Sequence, residues 1–168
     1  FKWAWDQRLI KEPVTFGQSF EKPSAKMLRK ARNEAPPKMF TRDELVRIMT
    51  AADVYIRAMV LLGLNGGLGN TDVANLTQNA INWETGWLTY PRPKTEIRRR
   101  IPLWPETITA LQQAIDSRPT SRDATNNDLV FLTAQGNRWV RTEPSKSHPD
   151  RFVTVNSVAG RFRRTLEK

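Results

Sequence analysis

The sequence contains no cysteine and a single histidine, His148. The missing thiols exclude disulfides, thiol catalysis and thiolate metal sites, and one imidazole cannot form the clusters that hold transition metals. We therefore expect no metal site. Apolar runs of the roughly 18 residues that span a bilayer are also missing, as are a signal-peptide hydrophobic stretch and an acylation motif. The sequence thus predicts a soluble, cytoplasmic protein.

Acidic residues are few relative to basic ones: 17 Asp and Glu stand against 27 Lys and Arg, a formal net charge of +10. The excess is uneven, because residues 1–32 carry eight cations and three acids, residues 91–100 five and one, and residues 138–168 eight and three. The rest of the chain is net negative. Basic charge confined to particular segments indicates a polyanionic partner rather than general solubility.

The 168 residues are enough for one domain with a core plus an extension. Residues 1–10 open on aromatic residues without a helix cap, as the end of a preceding helical element would. Residues 11–38 combine prolines with cations, which predicts a linker with at most a short helical turn. Residues 39–168 carry the ordered domain.

The first part of this domain is predicted to be helical. Thr41 and Glu44 form a capping box ahead of a helical apolar stripe. A second helix is predicted over about residues 53–67, where two glycines stop it. A short third helix follows, with Asn70 or Thr71 as its expected N-cap.

The sequence after the third helix predicts β-strands. From Ile81 the apolar period changes to two, and residues 84–86 supply a Glu-Thr-Gly turn, so we expect a β-hairpin. The next strand alternates three apolar residues, Ile97, Ile101 and Leu103. This alternation places Arg98 and Arg100 on the solvent side and leaves Arg99 on the apolar side.

The remaining elements complete an α+β fold. Pro105 suits the first turn of a helix, residues 128–133 read as a short strand or extended segment, and residues 137–153 read as irregular. A helical stripe then runs from Val155 to Leu166. The predicted class is α+β, mainly helical, with a small antiparallel hairpin or three-stranded sheet.

The glycine-rich stretch of residues 63–69 invites comparison with phosphate-binding loops. A nucleotide P-loop ends in Gly-Lys-Ser/Thr, whereas Gly69 is followed by Asn70 and Thr71, and a dinucleotide fingerprint follows a strand rather than a helix. A KH-type GxxG loop over residues 63–66 fits the placement between helices but lacks interior cations. Glycines required by a tight interhelical turn are the simpler interpretation.

The order of helix, Gly-Leu turn, short helix, hairpin, Lys-Thr and Arg-Arg-Ile-Pro-Leu resembles the first half of the tyrosine recombinase (phage integrase) catalytic domain. In that family the turn reads Thr-Gly-Leu-Arg-x-x-Glu-Leu, and the hairpin presents a lysine before a Val/Ile-Pro-Leu strand. Residues 39–116 carry the most specific part. The resemblance implies that residues 1–10 end a core-binding domain, that 11–38 form the interdomain linker, and that 39–168 begin a catalytic domain of the DNA breaking-rejoining fold.

Under this resemblance Lys94 falls on the hairpin lysine, a general acid for the leaving 5′ oxygen that also reaches the minor groove. An ammonium suits this role because it places a positive charge beside the developing alkoxide and supplies the proton. The alternative, that Lys94 is one more phosphate-binding cation, stays open.

The chain departs from the family pattern at the turn, where Gly69 stands at the position of the first catalytic arginine and Asp72 at that of the glutamate. Glycine cannot clamp a phosphate as a guanidinium does. Either another arginine, with Arg99 and Arg57 as candidates, reaches the site or the protein cleaves poorly.

The family's nucleophilic tyrosine is also missing from this stretch. Tyr55 lies in a helical core pattern and Tyr90 in a strand, so neither matches the nucleophile, which should lie beyond Lys168 together with the His-x-x-Arg-His motif. We therefore expect no cleavage by this stretch alone and leave open whether it belongs to an active enzyme.

These features predict a DNA-binding fragment of a site-specific tyrosine recombinase, an integrase of a mobile element that integrates and recombines DNA without a cofactor, near the nucleoid. The expected partner is double-stranded DNA, with self-assembly on it in the full-length protein, and neither a membrane nor a small-molecule substrate. The alternative is a non-catalytic nucleic-acid-binding module or a decayed recombinase acting architecturally, which Gly69 favours. The expected DNA-binding residues are Arg92, Arg98, Arg99, Arg100, Lys26, Arg29 and Lys30.

Overall fold

The computed structural model describes residues 1–15, 17, 22–36, 39–91, 97–148 and 150–167. The chain divides into two compact units, Phe1–Phe40 and Thr41–Lys168. The first unit contains helices α1 (Lys2–Asp6) and α2 (Ala25–Glu34). The second contains, in chain order, α3 (Arg42–Ala51), α4 (Val54–Gly66), α5 (Asn70–Ala74), β1 (Ile81–Asn82), β2 (Trp87–Pro91), β3 (Arg98–Pro102), α6 (Pro105–Asp116), β4 (Val140–Pro144), β5 (Phe152–Asn156) and α7 (Ser157–Leu166).

Helix α2 corrects the prediction that residues 11–38 hold at most a short helical turn, because it runs for ten residues. Ser24 caps it, its hydroxyl accepting a hydrogen bond from the Met27 N–H at 3.3 Å. Pro23 and Pro36 lie outside the helix, where they limit it without breaking it. The sequence between them is rich in strong helix formers.

The helix boundaries at α3 and α4 follow their local signals. The Glu44 carboxylate accepts from the Thr41 N–H at 2.7 Å, and the Thr41 hydroxyl accepts from the Glu44 N–H at 3.3 Å, which confirms the capping box. Asp53 caps α4 by accepting from the Tyr55 and Ile56 N–H groups.

The first sheet is an antiparallel meander of order β1-β2-β3, so the three-stranded form of the predicted sheet is confirmed. Leu88 lies opposite both Ile81 and Ile101, and all three side chains are buried on one face. Ile97 was expected on that face as well; it instead lies just before β3 and is 65% exposed.

A second sheet, the β4–β5 ribbon, corrects the prediction that residues 137–153 are irregular. Its two strands pair antiparallel from Val140 opposite Asn156 to Pro144 opposite Phe152. Val155 belongs to β5 rather than to the final helical stripe. Its spacing from Val158 imitates a helical period, but Asn156 caps α7 between them, accepting from the Ala159 N–H at 3.1 Å.

The core of the second unit is formed by α4, α6, the inner face of the first sheet and an extended segment at residues 128–133. That segment makes a single bridge, Thr77 to Leu129, rather than a full strand. Val130 is fully buried and its N–H donates to the Leu76 carbonyl at 2.8 Å. The largest fully buried side chains are Phe131, Ile56, Leu62, Leu76, Leu88, Leu111, Leu132, Val130 and Thr107.

Asn65, in the last turn of α4, ties that helix to the junction of β3 and α6. Its amide donates to the Pro102 carbonyl at 2.9 Å, and its carbonyl oxygen accepts from the Trp104 N–H at 2.7 Å and the Thr107 hydroxyl at 3.1 Å. One side chain thus satisfies three polar groups on another part of the chain, which sets the distance between α4 and β3.

Asp53 also joins α4 to α7, since its carboxylate accepts from the Arg161 Nε at 2.7 Å. Burial raises the pKa of Asp53, but the hydrogen bonds from Ile56 and Arg161 more than offset this, so its pKa lies below the ordinary value. A carboxyl with a depressed folded-state pKa stabilises the fold above its unfolded pKa, and this contribution is lost as the pH falls through the folded value.

We expect Asp53→Asn to lower the free energy of unfolding at pH 7, because asparagine keeps the cap but removes the ion pair. The difference in the free energy of unfolding between variant and wild type should narrow as the pH falls below about 4. Urea unfolding at pH 7 and pH 3 measures this difference, with Asp128→Asn as an exposed control. An equal difference at the two pH values would contradict this role for the Asp53 charge.

Candidate nucleic-acid interface

The chain reverses between α4 and α5 through a glycine turn, residues 66–69. Gly67 has φ 62°, the left-handed conformation that favours glycine. A Cβ on Gly66 would lie 2.7 Å from Leu68 Cδ1 and 2.9 Å from Ile101 Cδ1, so this residue lets the turn approach β3. Because residues 63–66 lie inside α4, the KH-type loop considered above is excluded.

Gly69 is the N-cap of α5, which corrects the expectation of Asn70 or Thr71. Asp72 supplies the capping bond from within the helix, its carboxylate accepting from the Gly69 N–H at 3.1 Å. At Gly69, φ is −87°, and the nearest atom to a Cβ built there is an Asp72 carboxylate oxygen at 4.0 Å. The backbone therefore does not require glycine at this position.

Arg99 reaches the turn from β3. Its Nη2 donates to the Asp72 carboxylate at 3.0 Å, and its Nη1 lies 3.5 Å from the Gly67 carbonyl oxygen. The side chains of Arg99 and Asp72 are 23% and 13% exposed, and the buried Arg99 Nε has no hydrogen-bond partner among the described residues. Arg99 and Arg57 were the candidates to replace the missing catalytic arginine. Of these two, Arg99 lies at the glycine turn.

Arg57, the other candidate, is committed elsewhere. Its guanidinium donates to the carbonyl oxygens of Met49 and Ala52, at 3.2 and 3.4 Å, at the C-terminal end of α3. This arrangement satisfies carbonyls that have no partner within the helix and places a cation at the negative end of the helix dipole.

Arg98 and Arg100 occupy the opposite face of the sheet from Arg99. Both side chains are exposed, and their cross-strand neighbours, Pro91 and Thr89, are exposed too. The Arg100 guanidinium carbon lies 4.4 Å from the centroid of the Trp87 ring. This cation–π contact restricts the Arg100 side chain without using its hydrogen-bond donors, a pairing that cross-strand register alone would not have indicated.

Two predicted site residues, Lys94 and Arg92, lie outside the described residues. Their roles as general acid and DNA contact stay predictions. The strands on either side are described, and they pair Pro91 with Arg98.

Lys26, Arg29 and Lys30 lie on α2, in the first unit. At spacings of three and four residues they share one helix face, and all three are exposed. Lys30 pairs with Glu34 at 3.8 Å between two well-exposed side chains. An exposed pair of this kind contributes little to stability, so the α2 cations remain available for an anionic partner.

Neither described tyrosine resembles an activated nucleophile. The Tyr55 hydroxyl donates to the Ser117 carbonyl, and Tyr90 is 8% exposed. Burial and the Asp72 charge raise the pKa of Tyr90 above its ordinary value, although Arg99 opposes them. His148 is exposed between β4 and β5, with its Nδ1 3.1 Å from the Ser147 hydroxyl.

Among the described residues, no three His, Cys, Asp or Glu side chains are grouped so that they could hold a metal ion. None of the described helices combines the length and apolar character needed to cross a membrane.

The chain belongs to the phage integrase family, the tyrosine recombinases, whose family model matches residues 38–158. No curated protein matches it in sequence. The family match contains the glycine turn, the first sheet and the whole β4–β5 ribbon.

Solved structures show the same fold. The Tn1549 transposon integrase in complex with transposon right end DNA matches with a TM-score of 0.58 and 14% identity, over 82% of this chain and 50% of that one. A lambda integrase dimer bound to a COC' core site matches with a TM-score of 0.53 and 16% identity, over 85% and 54%. XerA recombinase matches with a TM-score of 0.50 and 23% identity, over 61% and 39%.

The chain therefore spans about half or less of the length of these solved structures. Identities this low establish the architecture alone. The α+β, partial integrase fold predicted from the sequence is confirmed.

The turn geometry makes a direct prediction about Gly67 and Gly69. Gly67→Ala should destabilise the protein by about 1 kcal/mol, because alanine disfavours a positive φ. Gly69→Ala should cost less, about 0.5 kcal/mol, since its φ suits any residue and the site is open, which leaves only the N-cap preference for glycine over alanine. Denaturant unfolding of the two variants gives the comparison, and equal losses would show that Gly69 is also required by the backbone.

Proposed function

We propose that this chain binds double-stranded DNA as part of a site-specific tyrosine recombinase, through contacts to the phosphate backbone. The observation that carries the proposal is the division of the arginine cluster on β3. Arg98 and Arg100 are exposed on one face of the sheet, while Arg99 lies at the glycine turn on the other. Guanidinium groups held on a rigid strand suit phosphate recognition.

Two further observations support a DNA partner. The cations of α2 share an exposed face, and the Tn1549 and lambda integrases were solved in complex with DNA. If roughly five phosphates are neutralised, the logarithm of the binding constant should fall with the logarithm of salt concentration at a slope of about −4 to −5.

In the full-length protein we propose strand cleavage by a tyrosine that lies C-terminal to this stretch. The tyrosine oxygen, after giving up its hydroxyl proton, attacks the scissile phosphorus, the bond to the 5′ oxygen breaks, and a 3′-phosphotyrosyl linkage forms. Lys94 donates the proton that the leaving 5′ oxygen takes up. Arg99 holds Asp72 and the glycine turn in position beside the phosphate.

The same proposal assigns the chain's organisation and surroundings. Residues 1–10 end a core-binding domain, 11–38 link it to the catalytic domain, and 39–168 form the N-terminal part of that domain. The full-length protein assembles on DNA and is associated with the nucleoid.

A second candidate function is a DNA-binding module that does not cleave. Gly69 favours it, because the position of the first catalytic arginine holds no side chain and Arg99 is already engaged with Asp72. In this case the protein acts architecturally, and the phosphate contacts serve binding alone.

We expect Arg98→Gln/Arg100→Gln to weaken duplex binding and to make the salt slope less steep by about 2, as the loss of two phosphate contacts requires. Fluorescence anisotropy of a labelled duplex across a salt series measures both quantities. Arg42→Gln/Arg47→Gln removes the same charge from exposed positions on α3 and is the matched control. Equal changes in the two double variants would show that Arg98 and Arg100 act only through the net charge of the protein.

A nicked suicide duplex separates the two candidate functions in the full-length protein. A recombinase should form a covalent protein–DNA adduct that is lost when a C-terminal tyrosine is replaced by phenylalanine. Lys94→Ala should then reduce cleavage more than binding. Intact binding without adduct would favour the non-cleaving module, and equal losses in cleavage and binding would make Lys94 a phosphate contact only.

A further inference from the structure

We infer that the β4–β5 ribbon is a second duplex-DNA contact, separate from the arginines of β3. The inference rests on the proposed DNA-binding function and adds a surface to it. The ribbon was unexpected from the sequence, and none of its residues was among the predicted DNA contacts.

The two faces of the ribbon differ in character. Strand alternation places Thr142, Pro144, Phe152 and Thr154 on one face, and all four are exposed, with Phe152 at 70%. Hydroxyls beside an exposed aromatic ring form an amphipathic surface that has no covering element among the described residues. This outer face is therefore free to meet a partner.

The other face carries contacts within the protein at Arg141 and Glu143, while Val153 on the same face is 44% exposed. Arg141 forms an ion pair with Glu143, and its Nη1 lies 3.4 Å from the Ser157 hydroxyl at the start of α7. Both side chains are partly buried. The cation of this face is neutralised by its neighbour, which leaves the tip of the ribbon as the source of unbalanced positive charge.

The tip carries two exposed cations, Lys146 and Arg151, without an ion-pair partner among the described residues. The turn that presents them is ordered by backbone bonds: the Ser145 N–H donates to the Arg151 carbonyl at 2.7 Å, and the Arg151 N–H to the His148 carbonyl at 2.9 Å. Asp150 is also exposed there. The backbone of Arg151 is thus tied to Ser145 at the end of β4 and to His148.

The base of the ribbon lies next to the candidate site. Strand β4 contacts α5, the helix that begins at the Gly69 turn. The ribbon is closed by the Ser157 N–H, which donates to the Trp139 carbonyl at 2.9 Å. The ribbon is therefore connected, through α5, to the turn where Arg99 forms its ion pair with Asp72.

Duplex DNA fits this surface better than a protein does. A two-stranded β-ribbon has the width that the major groove admits, and Lys, Arg and Thr side chains are the usual donors to phosphate oxygens. An exposed aromatic ring adds apolar contact with base or sugar. A protein partner would use Phe152 and the open strand edges, but it would leave Lys146 and Arg151 without a counter-charge.

The test is duplex binding by Lys146→Gln/Arg151→Gln, measured by anisotropy across a salt series. We expect the slope to become less steep by about 2 and the affinity at 0.1 M salt to fall roughly tenfold or more. Phe152→Ser should lower affinity without changing the slope, since it removes no charge. Single substitutions at Lys146 and Arg151, each expected to change the slope by about 1, keep the test available should the double variant misfold.

Control experiments distinguish failure of the ribbon contact from failure of the proposed DNA-binding function. Arg42→Gln/Arg47→Gln, with the same change in charge, should alter the slope by less than half as much. An unchanged slope in the ribbon variant, while Arg98→Gln/Arg100→Gln still flattens it, would overturn the ribbon contact and leave DNA binding intact. Failure of the wild-type chain to bind duplex would instead overturn the proposed function.

Sedimentation of the chain without DNA tests whether the ribbon contacts another protein chain rather than DNA. If the ribbon variants change the oligomeric state or the cooperativity of binding while the salt slope is unchanged, the ribbon contacts protein and the inference is wrong. An unchanged oligomeric state with a flatter slope supports the DNA contact.

Discussion

The ion pair between Arg99 and Asp72 is the interaction on which the candidate site depends. It joins β3 to the glycine turn, and the same Asp72 carboxylate holds the Gly69 N–H at the start of α5. Removing one partner of a buried ion pair leaves an uncompensated charge, which costs about 3–5 kcal/mol when burial is complete. With side chains 23% and 13% exposed, this pair approaches that situation. The turn and the sheet are therefore fixed as one body.

This pair also explains how three consecutive arginines perform different tasks. Strand alternation directs Arg99 inward, where it is used for structure, and directs its two neighbours to solvent, where their donors stay available. Trp87 restricts Arg100 through its ring face. A cluster that looks uniform in the sequence thus divides into one positioning residue and two surface cations.

Much of the fold was predictable because its signals are local. The capping box at Thr41, the cap at Asp53, the left-handed glycine after α4 and the period-two pattern around Arg99 each involve residues only a few positions apart. The inward direction of Arg99 followed from alternation alone. These features determine the elements that form the candidate site.

The errors arose where the deciding contact is distant or where a strong local signal was misleading. Prolines suggested at most a short helical turn within residues 11–38, yet they flank α2 rather than interrupt it. The β4–β5 ribbon was missed because its strands are joined by seven residues without a short hairpin signature. The N-cap at Gly69 depends on a carboxylate that returns from Asp72, and the clamp at Asn65 depends on partners about forty residues away, which no local pattern reports.

The open space at Gly69 has an evolutionary consequence. Because the turn is formed by Gly66, Gly67 and the Asp72 carboxylate, a Cβ at position 69 would meet nothing nearer than an Asp72 oxygen at 4.0 Å. Selection on folding therefore places little constraint on which residue stands there. Selection on the reaction is left as the main constraint on position 69.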